Sequence, residues 1–240
     1  MQGDNIDKML ALEQWERLKD TIENLGITVE LLRPNKNLPD MVFAANGGLV
    51  HQNKVVLSNF RHSERISEYS HYRQWFLSQR YQIHTLDPQL KFEGQGDAII
   101  HNNTIIGGFG FRSELRALEK VADIYNMNLI PLKLKDPRFY HLDTCLAILD
   151  KENGLGIFYP GAFENTNISS LTNLKLIKVP EGEAKKFVCN SLAYKNNVLM
   201  PANNNWTAAS LKKLNYNVFM IETSEYLKAG GSVQCLSLWV

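Results

Sequence analysis

A thiol, an imidazole and several carboxylates stand where the chain changes character. Cys235 closes Gly230-Gly231-Ser232-Val233-Gln234-Cys235, an apolar stretch opened by two glycines. His141 and Asp143 lie in Phe139-Tyr140-His141-Leu142-Asp143-Thr144-Cys145, and Glu93 and Asp97 bracket Gly94-Gln95-Gly96. A cysteine nucleophile needs a nearby base or acid and a group that orients it. Cys235, His141 and Glu93 could supply that set. On a strand, the i, i+2 spacing of His141 and Asp143 would put both on one face, and an imidazole beside a carboxylate suits proton transfer or cation binding. Glu93, Asp97 and Asp143 around one thiol and one imidazole would hold a cation. A planar guanidinium suits them best, because it offers five donors to carboxylate forks. A metal ion is the rival occupant, but no pair of ligands has zinc spacing. Neither a metal nor a cofactor is therefore expected.

Plainer readings compete with each of these. A cysteine taken alone is a small buried hydrophobe, and Cys145 and Cys189, flanked by apolar strand residues, keep that reading. The glycine turn at 93–97 lacks the strand–GxGxxG–helix setting of a nucleotide site. Arg65 and Arg112 occupy similar places after apolar strands and could clamp a carboxylate bidentately, whereas Arg61 reads as part of a solvated helix face. His51 and His101 fall in turns, and His62, His71 and His84 read as surface residues.

The elements that must position these groups recur. Trp15, Leu18, Ile22 and Leu25 have helical spacing over Glu13 to Asn24, with Gly26 as a stop, and Val29 to Leu32 reads as a strand. Further helices are expected from about Ser63 to Arg80 and from Ser113 to Tyr125. Between them an apolar strand, a polar turn and a second apolar strand repeat, with turns at His51–Lys54, His101–Thr104, Lys151–Gly154 and Tyr194–Asn197. The landmarks Asn46, Asp97, His141, Cys189 and Cys235 are 51, 44, 48 and 46 residues apart. Such a period marks a repeat or propeller architecture. Five ββαβ units around an axis would bring Asn46, Asp97, His141, Asn190 and Cys235 to a common centre. The fifth unit has a first strand at Gly231 to Leu236 but no return strand.

With 240 residues the chain suits one α/β domain over 1–240, and its 44% hydrophobic and 21% charged residues are those of an ordinary globular protein. The formal net charge of +1 gives no electrostatic case for nucleic acid or an anionic membrane. Apolar runs are too short to span a bilayer, and the opening Met1-Gln2-Gly3-Asp4-Asn5 is not a signal peptide. Three cysteines without CxxC spacing favour a reducing, cytoplasmic setting.

At Pro39-Asp40-Met41-Val42-Phe43-Ala44-Ala45-Asn46, Phe92-Glu93-Gly94-Gln95-Gly96-Asp97, Phe139-Tyr140-His141-Leu142-Asp143-Thr144 and Gly230-Gly231-Ser232-Val233-Gln234-Cys235, the sequence resembles the guanidine-modifying (pentein) superfamily. That superfamily includes arginine deiminases, dimethylarginine dimethylaminohydrolases, arginine dihydrolases and amidinotransferases. The resemblance implies a five-bladed α/β propeller that hydrolyses a guanidine, arginine or a methylated arginine, through a covalent cysteine amidino-thioether, yielding citrulline or ornithine. It implies Cys235 as nucleophile, His141 as general acid and base, and Glu93 as its carboxylate partner. Asn46 and Asp143 would hold the guanidinium, Arg65 and Arg112 the substrate carboxylate, and Asp40 its amine, with Asp97 also lining the site. Asn46 stands where deiminases usually have Asp, which resembles the arginine dihydrolases. Two alternatives share these motifs: transfer of the amidino group to an amine, and a non-catalytic binding protein of the same fold. Relatives carry a strand ahead of the first helix that this sequence does not show. The fifth unit is thus expected to be incomplete, with an exposed edge that favours self-association as a homodimer.

Overall fold

Twelve short strands form four separate three-stranded sheets in the computed structural model, which describes residues 6–164 and 170–240. The opening pentapeptide read above lies outside the described residues. Every sheet is built alike: an antiparallel hairpin followed by a crossover to a third strand that runs parallel to the second. The first holds β1 (Gly48–His51), β2 (Lys54–Leu57) and β3 (Gln82–His84). The second holds β4 (Ala98–His101), β5 (Thr104–Phe109) and β6 (Asn128–Lys133). The third holds β7 (Leu146–Asp150), β8 (Leu155–Phe158) and β9 (Lys175–Lys178). The fourth holds β10 (Leu192–Tyr194), β11 (Asn197–Pro201) and β12 (Asn217–Ile221). Three of the hairpin turns place a residue at the same left-handed φ: Gln52 at 53°, Asn102 at 52° and Lys195 at 52°.

Helices cover the sheets with the faces their sequences dictate. In α4 (Leu115–Tyr125), Ala117, Leu118, Val121, Ala122 and Tyr125 form one buried stripe. The Tyr125 hydroxyl leaves its own unit: it donates to the Leu49 carbonyl and accepts from the Val56 amide at 3.1 Å, joining the second unit to the first sheet. Helix α1 (Lys8–Asn24) begins at Asp7, whose side chain accepts from the Met9 and Leu10 amides at 3.0 and 3.1 Å. It packs on α5 (Ser224–Lys228), where buried Gln14 donates to Ser224 Oγ at 2.7 Å and accepts from the Glu225 amide at 3.0 Å. The helix expected over 63–80 is two helices, α2 (Ser63–Ile66) and α3 (Glu68–Ser78). Among the described residues no helix is long and apolar enough to cross a membrane.

Two expected strands are not strands. Val29 to Leu32 carries no ladder; Ile27, Val29 and Leu32 instead rest partly buried on the core. Residues 233–236 form a turn, with the Leu236 amide on the Ser232 carbonyl and the Ser237 amide on the Gln234 carbonyl, both at 3.2 Å. A strand needs a paired neighbour, and neither segment has one. The fifth unit therefore adds no sheet to the four.

Turns, not strands, carry the polar residues singled out by sequence. The 3-10 turn Ala44–Gly47 holds Asn46, Gly94–Gly96 separates Glu93 from Asp97, and Leu142–Thr144 holds Asp143 just after His141. Each turn immediately precedes the first strand of its sheet. His141 and Asp143 are thus brought together by a tight turn rather than by strand alternation. At Gly94, φ is +57° and a Cβ would fall 2.7 to 2.9 Å from the Gly48 and Ala45 backbone, so two of these turns touch through a position that excludes a side chain.

Candidate active site

His141 is 3% exposed, and its Nε2 meets Glu93 Oε2 at 2.7 Å. Glu93 is wholly buried. Its Oε1 accepts from the Arg61 amide at 3.1 Å, and Arg112 Nη1 reaches Oε2 at 3.2 Å. Burial pushes the Glu93 carboxyl up, but the hydrogen bond and charge of His141, with Arg112, outweigh it and hold the group at about 2. For His141 burial acts downward, and the charges of Asp97, Glu93 and Asp143 overcome it, so the imidazole binds its proton more tightly than usual. Asp97 Oδ2 lies 4.0 Å from the ring and accepts from Ser113 Oγ at 2.6 Å and the Ser113 amide at 3.1 Å. Its Oδ1 accepts from the Leu142 amide at 3.1 Å. Ser113 Oγ also accepts from the Glu93 amide at 2.9 Å. Among the described residues no hydrogen bond is made to His141 Nδ1, while Nε2 is held by Glu93.

Cys235, 3% exposed, donates its thiol proton to Asp143 Oδ2 at 3.2 Å. Asn190 grips the same residue from the other side. Its Nδ2 donates to Sγ at 3.0 Å, and its Oδ1 accepts from the Cys235 amide at 3.1 Å. The Asn190 amide group also reaches the Asp143 carbonyl at 3.3 Å. Burial, then the Asp143 charge, pushes the thiol well above its usual range. Burial also lifts Asp143 to about 6. The second oxygen of that carboxylate, Oδ1, is buried without a hydrogen-bond partner. A buried unmatched acceptor costs about 1–3 kcal/mol. A cation bearing N–H groups would relieve this and stabilise a thiolate at once.

Asn46 stands on the other side of His141. Its Nδ2 donates to the Glu93 carbonyl at 3.1 Å, and its Oδ1 accepts from Arg65 Nη1 at 2.8 Å. A Cβ on Gly96 would fall 2.2 Å from Asn46 Nδ2 and 3.4 Å from His141 Cγ, so only glycine leaves room between them. Arg112 is 14% exposed and lies over the Tyr140 ring at 4.7 Å, while the Tyr140 hydroxyl donates to the Gly230 carbonyl beside the cysteine turn. Asp40 is half-buried; its carbonyl accepts from Arg65 Nη2 at 3.1 Å, and its carboxylate has no hydrogen-bond partner among the described residues.

Cys235, His141, Glu93, Asp97, Asp143, Asn46 and Arg112 are thus gathered in one place. Arg65 departs from the expected bidentate clamp. Its fork is taken by Glu68, with Nε on Oε1 and Nη2 on Oε2, both at 2.8 Å, and only one of its N–H groups lacks a protein partner. Sequence reading missed Glu68, Ser113 and the Arg61 amide. It placed Asn190 at the centre without giving it a task. No short motif marks these residues, although Glu68 at i+3 from Arg65 is a readable ion-pair spacing. His101, read as a turn residue, ends β4 and is buried. Cys145 and Cys189 lie in the core, where the Cys145 thiol donates to the His141 and Leu142 carbonyls at 3.7 and 3.4 Å. Among the described residues no group of three or more His, Cys, Asp or Glu side chains could hold a metal ion.

Residues 2–238 match the family described as N,N dimethylarginine dimethylhydrolase, eukaryotic. The bifunctional arginine dihydrolase/ornithine cyclodeaminase AgrE of Nostoc sp. is 37% identical over 237 residues, 96% of this chain but 33% of that protein. The chain thus spans about a third of that relative's length. The N(G),N(G)-dimethylarginine dimethylaminohydrolase of Mycobacterium tuberculosis is 37% identical, over 97% of this chain and 76% of its own. Among solved structures, the substrate-bound N-terminal domain of ArgZ, a cyanobacterial arginine dihydrolase, superposes with a TM-score of 0.94 at 35% identity, covering 97% of this chain and 87% of that domain. Another ArgZ structure of the same domain holds a covalently bound reaction intermediate, with a TM-score of 0.93.

Proposed function

The chain belongs to the dimethylarginine dimethylaminohydrolase family of the guanidine-modifying superfamily, and from that premise we propose that it hydrolyses a C–N bond of the guanidinium group of arginine or a methylated arginine. The observation that carries this is the pairing of the Cys235 thiol, 3.2 Å from Asp143 Oδ2, with a buried carboxylate whose Oδ1 stays open and which sits in the turn directly after His141.

In this reading the guanidinium gives N–H groups to Asp143 Oδ1, which puts its central carbon beside Cys235. The incoming positive charge lowers the thiol's proton affinity, so that the Cys235 proton is released to solvent as the guanidinium binds, and Asn190 Nδ2, already on the sulfur, stabilises the thiolate. Sulfur attacks the carbon, and the C–N bond to the departing amine breaks as His141 delivers its proton to that nitrogen. An amidino-thioether remains. His141, now neutral and held by Glu93, takes a proton from water as the oxygen adds to the same carbon. The C–S bond then breaks and releases the ureido product. The product of arginine is citrulline; hydrolysis of its ureido group in turn yields ornithine. Arg112, with the remaining N–H of Arg65, receives the substrate carboxylate, and Asp40 its amine. The four sheets are then four blades of a five-bladed propeller, with α1 and residues 230–240 in the place of the fifth.

Incubation with arginine, monomethylarginine and dimethylarginine, with citrulline, ornithine, ammonia and methylamines resolved by mass spectrometry, tests this. Consumption of at least one guanidine with release of the matching amine is expected. Turnover that appears only when glycine or ornithine is added as acceptor would replace hydrolysis by amidino transfer. Binding without any turnover would leave a non-catalytic protein of the same fold.

A further inference from the structure

The side chain of Gln95 makes a closed pair of hydrogen bonds with a single residue 144 positions away. Its Nε2 donates to the Trp239 carbonyl at 2.7 Å, and its Oε1 accepts from the Trp239 amide at 3.1 Å. Gln95 is the middle residue of the turn Gly94–Gly96, with Glu93 before it and Asp97 after it. Trp239 follows Cys235 by four residues, and the stretch between them is held. The Leu236 and Ser237 amides close the cysteine turn. Leu236 and Trp239 pack in the same cluster as Cys235, and Leu238 packs on the core of the first unit. The pair therefore joins the turn that carries Glu93 and Asp97 to the segment that carries the thiol. A second join lies at Ala45, whose amide donates to the Cys235 carbonyl at 3.2 Å and whose carbonyl lies against Gly94. One join would let the cysteine turn pivot; two fix its tilt. Both Gln95 and Trp239 line a cavity of about 770 Å³, which Asp143 also borders and which opens among the exposed hairpin residues Gln52, Lys151 and Lys195. Those hairpin turns follow the first strands of their sheets, whereas the turns holding Glu93 and Asp143 precede them. The pair is thus reached from the far side of the site, and its influence on Cys235 and His141 passes through the backbone.

Resting on the guanidine-hydrolase reading above, we propose that Gln95 is a positioning residue that, by gripping Trp239, sets the placement of Cys235 Sγ relative to the His141–Glu93 pair. Both steps of the reaction need sulfur and imidazole at one carbon. In the first, sulfur bonds the guanidinium carbon while His141 gives its proton to the departing amine. In the second, His141 takes a proton from water as the oxygen adds, and the C–S bond then breaks. Binding has no such requirement, because Asp143 and Arg112 receive the substrate whichever way the cysteine turn tilts. The grip therefore acts on kcat and leaves affinity alone. A misplacement of about 1 Å far from the chemistry costs about 10²-fold in rate.

The test is Gln95→Met, which keeps the length of the side chain and loses both bonds. For the guanidine that the protein turns over, kcat should fall about 10- to 10²-fold, while calorimetric binding to the matching Cys235→Ala protein changes by less than about twofold. Trp239→Ala and Trp239→Pro both lose the ring, but only the second also loses the N–H. The fall in kcat should be larger for Trp239→Pro, and adding Gln95→Met to it should cost little more. Alkylation of Cys235 by a small reagent should keep its wild-type pH profile in Gln95→Met, since Asp143 and Asn190 still hold the sulfur; a tail that had merely come loose would change it. Equal losses in kcat and binding, an altered alkylation profile, or full additivity of Gln95→Met with Trp239→Pro overturns the proposal. If Gln95→Met does not fold, Gln95→Glu keeps the acceptor for the Trp239 N–H and loses the donor, and should give a smaller fall in kcat with binding again unchanged. Should no guanidine be turned over at all, the hydrolase reading fails, and NMR then decides the role of Gln95. Alkylating Cys235 should shift the His141 ring resonances in the wild type and shift them less in Gln95→Met; equal shifts overturn it.

Discussion

The two halves of the site are built to opposite standards of completion. Around His141 every carboxylate oxygen of Glu93 and Asp97 has a protein partner, and neighbouring charges outweigh burial and strengthen the imidazole's hold on its proton. Around Cys235 the sulfur is neutral, Asp143 is lifted to about 6, and one of its oxygens has no partner. The 3-10 turn 142–144 joins the halves, with His141 just before it and Asp143 within it. In the proposed mechanism the acid–base half is therefore assembled in advance, and the nucleophilic half would be completed by the ligand's own charge, confining a reactive thiolate to the occupied site.

The sharpest break in this comparison is Cys235→Ser, which should remove turnover to background while calorimetric binding of arginine persists. His141→Asn comes next, with kcat reduced about 10²- to 10⁴-fold, the range for a positioned acid or base; a covalent adduct that accumulates and is visible by intact mass would separate its role in water attack from its role in amine release. Asp143 should show an opposite sign. Asp143→Asn removes the charge beside the sulfur, so the pH at which a small alkylating agent reacts with Cys235 should fall, even as guanidinium binding weakens. An unchanged alkylation profile would detach Asp143 from the thiol.

The sign of the wild-type pH dependence follows from the same group. Asp143's folded proton affinity lies above its ordinary 3.8, at about 6. Its contribution to stability is therefore full below 3.8 and lost as pH rises through about 6, where the buried carboxylate ionises. A bound cation recovers that loss. Arginine affinity of the Cys235→Ala protein should accordingly weaken as pH falls through 6, and the thermal shift it causes should be larger at pH 7 than at pH 5. The smallest effect belongs to Cys189→Ala, whose side chain packs in the core and makes no bond to Cys235, His141 or Glu93 among the described residues: kinetics nearly unchanged and about 1 kcal/mol of stability lost, read from denaturant unfolding.

What sequence revealed and what it hid divide along physical lines. The repeated hairpins were legible because strand alternation and polar turns are local properties. The positions of the chemical residues were legible because they recur at the same point of each unit. Their local geometry was not. Asn46, Asp143 and Cys235 sit in turns, and Cys235's expected strand is a turn because pairing depends on a neighbour that no local pattern encodes. Arg65 looked like a free clamp because a charge's partner is fixed only by folding; Glu68, three residues on, claims its fork. Ser113 was hidden for a similar reason, since one hydroxyl serving both Glu93 and Asp97 leaves no motif.

The cysteine turn is held by residues spread along the whole chain: Ala45, whose amide donates to the Cys235 carbonyl, Asp143 and Asn190. Closing contacts of such separation is slow and comes at the cost of loop entropy. A nascent or half-folded chain therefore holds its nucleophile as an ordinary thiol with none of these neighbours. On the proposed function, guanidine chemistry would switch on as a late event of folding, and a refolding time course that follows product formation should lag one that follows secondary structure.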